Sequence, residues 1–515
     1  MALSLQWDGA MMLNVLRTGL LSVVFVCSSA QARPPVAWAP SLPALEALGK
    51  RVFFDPISEP DGQACASCHA STAGWTAGDS LIHAGPVVVP GADPTTAGNR
   101  KPPSISYASF APPFGDFPGR ECTPDGSALS CSGGLFWDGR ATGASIGEEV
   151  FAGRQELKDA YEAFLGPTAD QALGPFPNDV EMNVPDGNDD GLPGAEFVCR
   201  HVQEADYAGL YKQAWGEPIR CDISQVAVSF KRIAVAISAW EHSAEVNSFS
   251  SPRDRALSAD YDGSPGSFPL SGFSDLENLG HDLFFGITSE LNPAGKDARC
   301  AACHNSEGRG SAGEEPEQLY TDHRFHHLGI PANHEAANFD PDAPDFGLSH
   351  HTSPLTPGDT PHAGHYRTPT LRNVDARPHA GFTKAYMHNG YFKSLEDVVH
   401  FYNTALVKLD PKRCPAGTTA AEARARDCWP EAEVDNGRQA SLVGLLGDLG
   451  LTEYEEAALV AYMKTLSDTE IVAPPSAHKP AKPYQVDQPS DAFGGHRSQV
   501  KRRAFWTWLR WLLRI

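Results

Sequence analysis

Two stretches of this 515-residue chain carry the same order of apolar and polar positions. LEALGKRVFFD, from Leu45 to Asp55, and LENLGHDLFFG, from Leu276 to Gly286, keep Leu, Glu, Leu, Gly, Phe and Phe in register. Each predicts a helix, and a helix repeated at this distance predicts two related modules. Three further segments have helical periodicity. Gln225 to Trp240 repeats apolar residues at helical spacing, Ser394 to Leu406 opens on a serine cap, and Thr452 to Leu466 opens on a Thr-x-x-Glu capping box. The 42 prolines and 47 glycines predict that the remainder is long loop.

Each repeated helix is followed by Cys-x-x-Cys-His: CASCH at Cys65 to His69 and CAACH at Cys300 to His304. In such a pentapeptide two thiols can add across the vinyl groups of a haem while the adjoining imidazole reaches the iron. Cys65, Cys68, Cys300 and Cys303 are therefore candidate attachment points for two covalently bound c-type haems, and His69 and His304 candidate axial ligands. Zinc usually draws its ligands from paired knuckles close in sequence, and a histidine directly after the second cysteine is not finger spacing. The expected fold class is mainly α, with two cytochrome c-like haem domains and long loops, because a haem supplies much of the apolar core that the sparse helices do not. The expected organisation is a signal peptide over 1–32, a first haem domain over 40–245, a linker over 246–267 and a second haem domain over 268–470. A Pro-rich segment and basic amphipathic tail fill 471–515.

The cysteines and charges add a compartment. Arg17, the apolar run GLLSVVFV and Ala30-Gln31-Ala32 read as a secretory signal, with a membrane anchor or a lipid on Cys27 as the weaker alternatives. Of eleven cysteines, those outside the signal and the two pentapeptides fall into local pairs: Cys122 with Cys131, Cys199 with Cys221 and Cys414 with Cys428. Disulfides suit the oxidising compartment in which such haems are attached, so the expected location is periplasmic. The net charge of −23 excludes a nucleic-acid protein and favours a basic partner surface, such as that of an electron-donating cytochrome c or cupredoxin. The tail RRAFWTWLRWLLRI runs against that charge, and its Arg and Trp residues suit a helix lying on a membrane surface or docked on the protein.

FWDGRA at Phe136 to Ala141, QALGPFPNDVEM at Gln171 to Met182, TPTLRNV at Thr368 to Val374 and SLEDVVHFYN at Ser394 to Asn403 stand in one order along the chain. In these motifs the chain resembles the bacterial dihaem cytochrome c peroxidases and their MauG-like relatives, over roughly 40–470. The resemblance implies an oxidoreductase that reduces hydrogen peroxide at the His69 haem with electrons relayed through the His304 haem. It implies that Trp137 lies between the haems, that Glu181 is the catalytic acid/base, and that Gln171 and Pro175 line its pocket. A carboxylate there can carry a proton from the near to the far peroxide oxygen. His83 sits close to where the peroxidases place a histidine that blocks the peroxidatic iron at rest. MauG-like relatives lack that ligand.

Tyr402 stands where the peroxidases carry a methionine ligand to the second haem and MauG-like proteins a tyrosine. A phenolate favours oxidised iron and lowers the potential. Met387 in YMHNG is the competing ligand. His326 matches a histidine lining the second haem region, with His323 and His327 close by. The family also holds a calcium ion between its modules, using an asparagine and backbone oxygens near a Thr-x-Pro. Here Lys101 takes the asparagine position and Ala385 the proline position, while Thr383 is kept, which puts that calcium in doubt. A separate run, DGNDDGLPGAE from Asp186, spaces Asp186, Asn188, Asp190 and Gly191 like a calcium loop, but Glu196 comes one residue early and Pro193 interrupts it. The alternatives to a peroxidase are a MauG-like oxidase of a partner protein or small substrate, and a dihaem electron carrier without catalysis.

Overall fold

The computed structural model describes residues 38–187, 192–258, 267–306, 312–435 and 445–470. From Pro40 onward it is one unit by contact, built mainly of helices. In the first half these are α1 (Leu42–Phe54), α2 (Cys65–Cys68), α3 (Ser80–Ala84), α4 (Gln155–Tyr161), α5 (Pro167–Leu173), α6 (Ala195–Glu204), α7 (Ala208–Trp215) and α8 (Val226–His242). After α9 (Pro252–Leu257) come α10 (Asp275–Phe285), α11 (Ser349–Thr352), α12 (Leu395–Thr404), α13 (Ala420–Arg426) and α14 (Glu453–Lys464). Two small antiparallel ribbons complete the described part, β1 (Gly115–Asp116) with β2 (Cys131–Ser132) and β3 (Phe325–His326) with β4 (Tyr366–Arg367). The caps read from sequence are in place: Ser394 accepts the Asp397 N–H, and Thr452 and Glu455 form a reciprocal capping box. The signal segment, the basic tail and Asn188 to Gly191 of the acidic loop lie outside the described residues.

The repeated helices do the same work twice. A Cβ on Gly49 of α1 would lie 1.9 Å from the Ala236 carbonyl oxygen of α8, and one on Gly280 of α10 would lie 2.0 Å from that of Ala458 in α14. Only a residue without a side chain lets the two backbones touch. One turn beyond each crossing, aromatic rings meet. Phe53 packs on Trp240 at 4.6 Å between centroids and on Trp75 at 6.0 Å; Phe284 packs on Tyr462 at 5.6 Å and on Tyr320 at 5.8 Å. Two hydrophobic cores result, one running from Ala44 to Val246 and the other from Leu279 to Leu466. The three local cysteine pairs are disulfides.

The segment expected to be a polar linker is more than a connector. Ser251 and Asp254 form a capping box, with Pro252 in the first turn, and this short signal starts α9. Asp254 then takes a two-pronged ion pair from Arg372 of the TPTLRNV motif, at 2.7 and 3.0 Å, with a further contact from Arg253 at 3.2 Å. Asp254 is therefore the anion between two fully buried arginines. Asp254→Ala should destabilise the protein by about 3–5 kcal/mol, because it leaves buried charge unpaired; denaturant unfolding measures it.

A second ion pair should give stability a pH signature. His201 Nε2 lies 3.1 Å from Asp55 Oδ2, and Tyr207 donates its hydroxyl to the same carboxylate. The hydrogen bond to Asp55 raises the His201 pKa above its ordinary 6.5. Burial works against the Asp55 carboxylate, yet the bonds from His201 and Tyr207 leave its pKa below 3.8. The His201 contribution is full below 6.5 and fades as pH rises through the raised folded value; the Asp55 contribution is present above 3.8 and fades as pH falls through the lowered one. In thermal melts, the gap between wild type and His201→Ala should be wider at about pH 5 than at about pH 9.

Candidate functional site

The first pentapeptide forms the single turn α2, directly after the aromatic cluster of α1 and α8. His69 Nδ1 donates to the Trp75 carbonyl at 3.1 Å, which fixes the tautomer whose lone pair is on Nε2. Burial holds the ring neutral, with a pKa of about 4. The second pentapeptide repeats this arrangement, His304 Nδ1 donating to the Tyr320 carbonyl at 2.9 Å. Trp75 and Tyr320 both hold left-handed backbone, with φ of 61° and 55°. The repeat thus extends to the residue that orients each histidine, a feature with no shared letter in the sequence to reveal it.

Glu181 sits in a tight loop that follows α5. Gly174 closes on Gln171, Met182 N–H donates to the Pro175 carbonyl at 3.2 Å, and Glu181 N–H donates to Asn178 at 3.0 Å. Gln171, Pro175 and Glu181 are therefore parts of one folded turn, in spite of the long insertion before it. The Glu181 carboxyl is half-buried and close enough to Cys68 and Cys65 to oppose their ionisation. Burial raises its own pKa, and Arg140 partly offsets the rise. Glu241 of α8 is also buried near Cys65, and desolvation pushes it up to about 8. A lone carboxyl in an apolar helix was the only sequence signal for it.

Trp137 is buried, its Nε1 donating to the Lys101 carbonyl at 2.8 Å and its own carbonyl accepting from Arg367 N–H at 2.9 Å. Arg100 clamps the next residue, Asp138, at 2.7 Å and Asp345 at 2.6 Å, so the FWDGR segment ties the halves together. Trp137 also borders a cavity of about 190 Å³ that has Cys300, Cys303, His304, His323, His326, Met387 and Tyr402 on its wall. His326 is held by Asp322 at 2.9 Å, and its ring, the Asp322 carboxylate and the Cys303 sulfur lie within 4.8 Å of one another. Because that thiol belongs to CAACH, the group reads as part of the cradle and not as a separate metal site. His327 turns away, with Nε2 on the Val434 carbonyl. Tyr402 and Met387 both face the cavity, and burial and the two cysteines raise the Tyr402 pKa.

His83 contacts both halves of the chain. It is fully buried; Nε2 donates to the Ala77 carbonyl at 2.7 Å and Nδ1 accepts from the Ala385 N–H at 3.0 Å. Both ring nitrogens are spent on backbone, and burial lowers its pKa to about 3. In this arrangement it is a bridge between the two halves and has no nitrogen for iron. Next to it, Lys101 points its ammonium at Thr76 and at the Pro102 carbonyl, both at 3.2 Å. Lys384, which the sequence reading passed over, points its own at three backbone carbonyls. Burial lowers the two to about 8 and about 7. The only sequence pointer to Lys384 is its place at the middle of Thr-x-Ala.

These residues fit two c-type haems. Among the described cysteines, the pentapeptide thiols are free while the other six are paired. Each following histidine is oriented through Nδ1, and Cys300, Cys303 and His304 of the second pentapeptide line one cavity.

A family model described as Di-haem cytochrome c peroxidase matches residues 43–262. The methylamine utilization protein MauG of Paracoccus denitrificans is 29% identical over 436 residues, covering 83% of this chain and 90% of that protein. Cytochrome-c peroxidase IdrP1 of Denitromonas iodatirespirans is 24% identical over 486 residues, covering 87% and 92%. Among solved structures, the diheme peroxidase BthA from Burkholderia thailandensis superposes with a TM-score of 0.58 at 25% identity, covering 86% of this chain and 91% of that one.

Proposed function

We propose that this oxidoreductase, similar to the dihaem cytochrome c peroxidases and MauG proteins, is a periplasmic peroxidase that reduces hydrogen peroxide at the His69 haem. In this reading the haems are joined covalently to Cys65 and Cys68 and to Cys300 and Cys303, with His69 and His304 as axial ligands. Electrons enter through the His304 haem and pass by way of Trp137. The modules are those read from sequence, 40–245 and 268–470. The observation that carries the reading is Glu181, a half-buried carboxyl facing the first pentapeptide from a rigid turn.

Bound haem iron supplies the electrons that break the peroxide O–O bond. Glu181 takes the proton of the oxygen nearer the iron and returns it to the farther one, which leaves as water. Its raised pKa suits both halves of that transfer, since a carboxyl shifted toward neutrality is a better base and a usable acid. Gln171 and Pro175, carried in the same turn, shape the space beside it. The net charge of −23 supports a basic electron donor such as a cytochrome c or cupredoxin. The disulfides support the periplasm, and among the described residues no helix is long and apolar enough to cross a membrane. Contact of the basic tail with a membrane surface remains part of the proposal. Glu181→Gln should lower peroxide turnover on the order of a hundredfold with haem content unchanged; steady-state assay with a reduced donor measures it, and full activity would remove Glu181 from the role.

One observation favours a second reading, oxidation of a partner protein or small substrate. Tyr402, not a methionine, occupies the SLEDVVHFY position and faces the second cavity. A phenolate ligand lowers the potential of its iron and helps hold oxidised states. Tyr402→Met should therefore raise the midpoint potential of the second haem and change its absorption bands. An unaltered titration would return the ligand role to Met387 or deny it to both. A carrier without catalysis would leave peroxide unreacted in every redox state.

A further inference from the structure

The ammonium of Lys384 lies 3.0 Å from the Ala73 carbonyl, 3.0 Å from that of Asn373 and 2.9 Å from that of Ala376. The side chain is 4% exposed. Its three acceptors come from both halves of the chain, and Ala73 is in the loop that leads to Trp75, whose carbonyl orients His69. A neutral amine has two protons and would turn its lone pair on the third oxygen; an ammonium satisfies all three. Burial opposes the charge, and three converging carbonyl dipoles answer it. The backbone on either side of Lys384 is pinned to α3, Thr383 N–H by Ser80 Oγ at 2.9 Å and Ala385 N–H by His83 at 3.0 Å. Gly74 keeps the cage open: its φ is +67°, and a Cβ there would lie 2.6 Å from the Asn373 oxygen and 3.0 Å from Lys384 Nζ.

The family resemblance implies a calcium ion in this inter-module region, and the residues do not fit one. Calcium takes six to eight oxygens and is repelled by a neighbouring ammonium. The cage offers three neutral oxygens, and a second ammonium, that of Lys101, acts on Lys384 strongly enough to lower its pKa further. We propose that Lys384 is a positioning residue that serves as a built-in cation: its ammonium, in place of a bound divalent metal, ties the His69-orienting loop to the second module. It follows that the enzyme needs no calcium, and that removing the side chain creates a site for a small monovalent ammonium ion. This rests on the haem reading, because its effect is read at the His69 haem.

The test uses full-length haem-loaded protein, with haem content and calcium content measured first. In wild type, no calcium is expected, and EGTA should leave the spectrum and thermal midpoint unchanged. Lys384→Ala should lower the thermal midpoint by on the order of 5 °C and alter the absorption bands and potential of the His69 haem. Ammonium or methylammonium should restore both saturably, while tetramethylammonium and calcium should not. Lys384→Met, of similar length but unable to donate, should show the same loss without rescue. Stoichiometric calcium in wild type, a loss caused by EGTA, or a Lys384→Ala protein indistinguishable from wild type would each overturn the proposal. If Lys384→Ala does not fold, the wild-type calcium and EGTA measurements still decide. Colourless wild-type protein would instead defeat the haem reading itself.

Discussion

The structure depends on two places where a helix backbone touches another with no side chain between them. At Gly49 against Ala236 and at Gly280 against Ala458, the carbonyl of one helix occupies the volume that any Cβ would need. Close crossing draws the next turn of each helix into contact, which is why Phe53 meets Trp240 and Phe284 meets Tyr462. Those rings in turn back the left-handed residues Trp75 and Tyr320, whose carbonyls hold Nδ1 of His69 and His304. Helix crossing, aromatic cluster and ligand orientation are thus one chain of consequence, executed twice. A methyl group at either glycine would act on the orientation of that histidine through that chain.

Having built the same frame twice, the protein differentiates the two sites with residues outside it. Behind His69 the aromatic pair is Trp75 with Trp240, whose Nε1 donates to Glu245 at 2.9 Å; behind His304 it is Tyr320 with Tyr462, their hydroxyls 2.7 Å apart. In front, the first pentapeptide faces Glu181 and the second faces Tyr402 and Met387. A titratable carboxyl suits proton transfer, whereas a phenol or thioether suits coordination. The frame presents two histidines in equivalent orientation, and the side chains near each differ in chemistry.

Local signals explain what could be read from the chain before its structure. The repeated helices, the caps at Ser394 and Thr452, the two pentapeptides and the three disulfides each depend on residues near one another in sequence, so pattern and spacing suffice. What escaped depends on distant partners. Helix α9 is short, and its Asp254 is fixed by Arg372 from far along the chain. The role of His83 turns on Ala77 and Ala385, and nothing in SLIHAGP says that an N–H from the other half will reach it. Its spacing after His69 was right for a ligand, but spacing constrains only where the backbone passes and not where the imidazole points.

The same seam gathers basic side chains that the net charge of −23 does not announce. Three lysines cluster around His83 between the halves. Lys101, Lys384 and Lys393 all direct their ammonium groups at backbone carbonyls there, Lys393 reaching that of His83 at 2.9 Å. Burial lowers their pKa values to about 8, 7 and 8, and the carbonyls that accept from them favour the charged form against that cost. Trp137 hangs from the carbonyl of Lys101 and so lies along this positive strip. The arrangement holds the seam together with side chains that cannot be lost to solvent as a bound metal can.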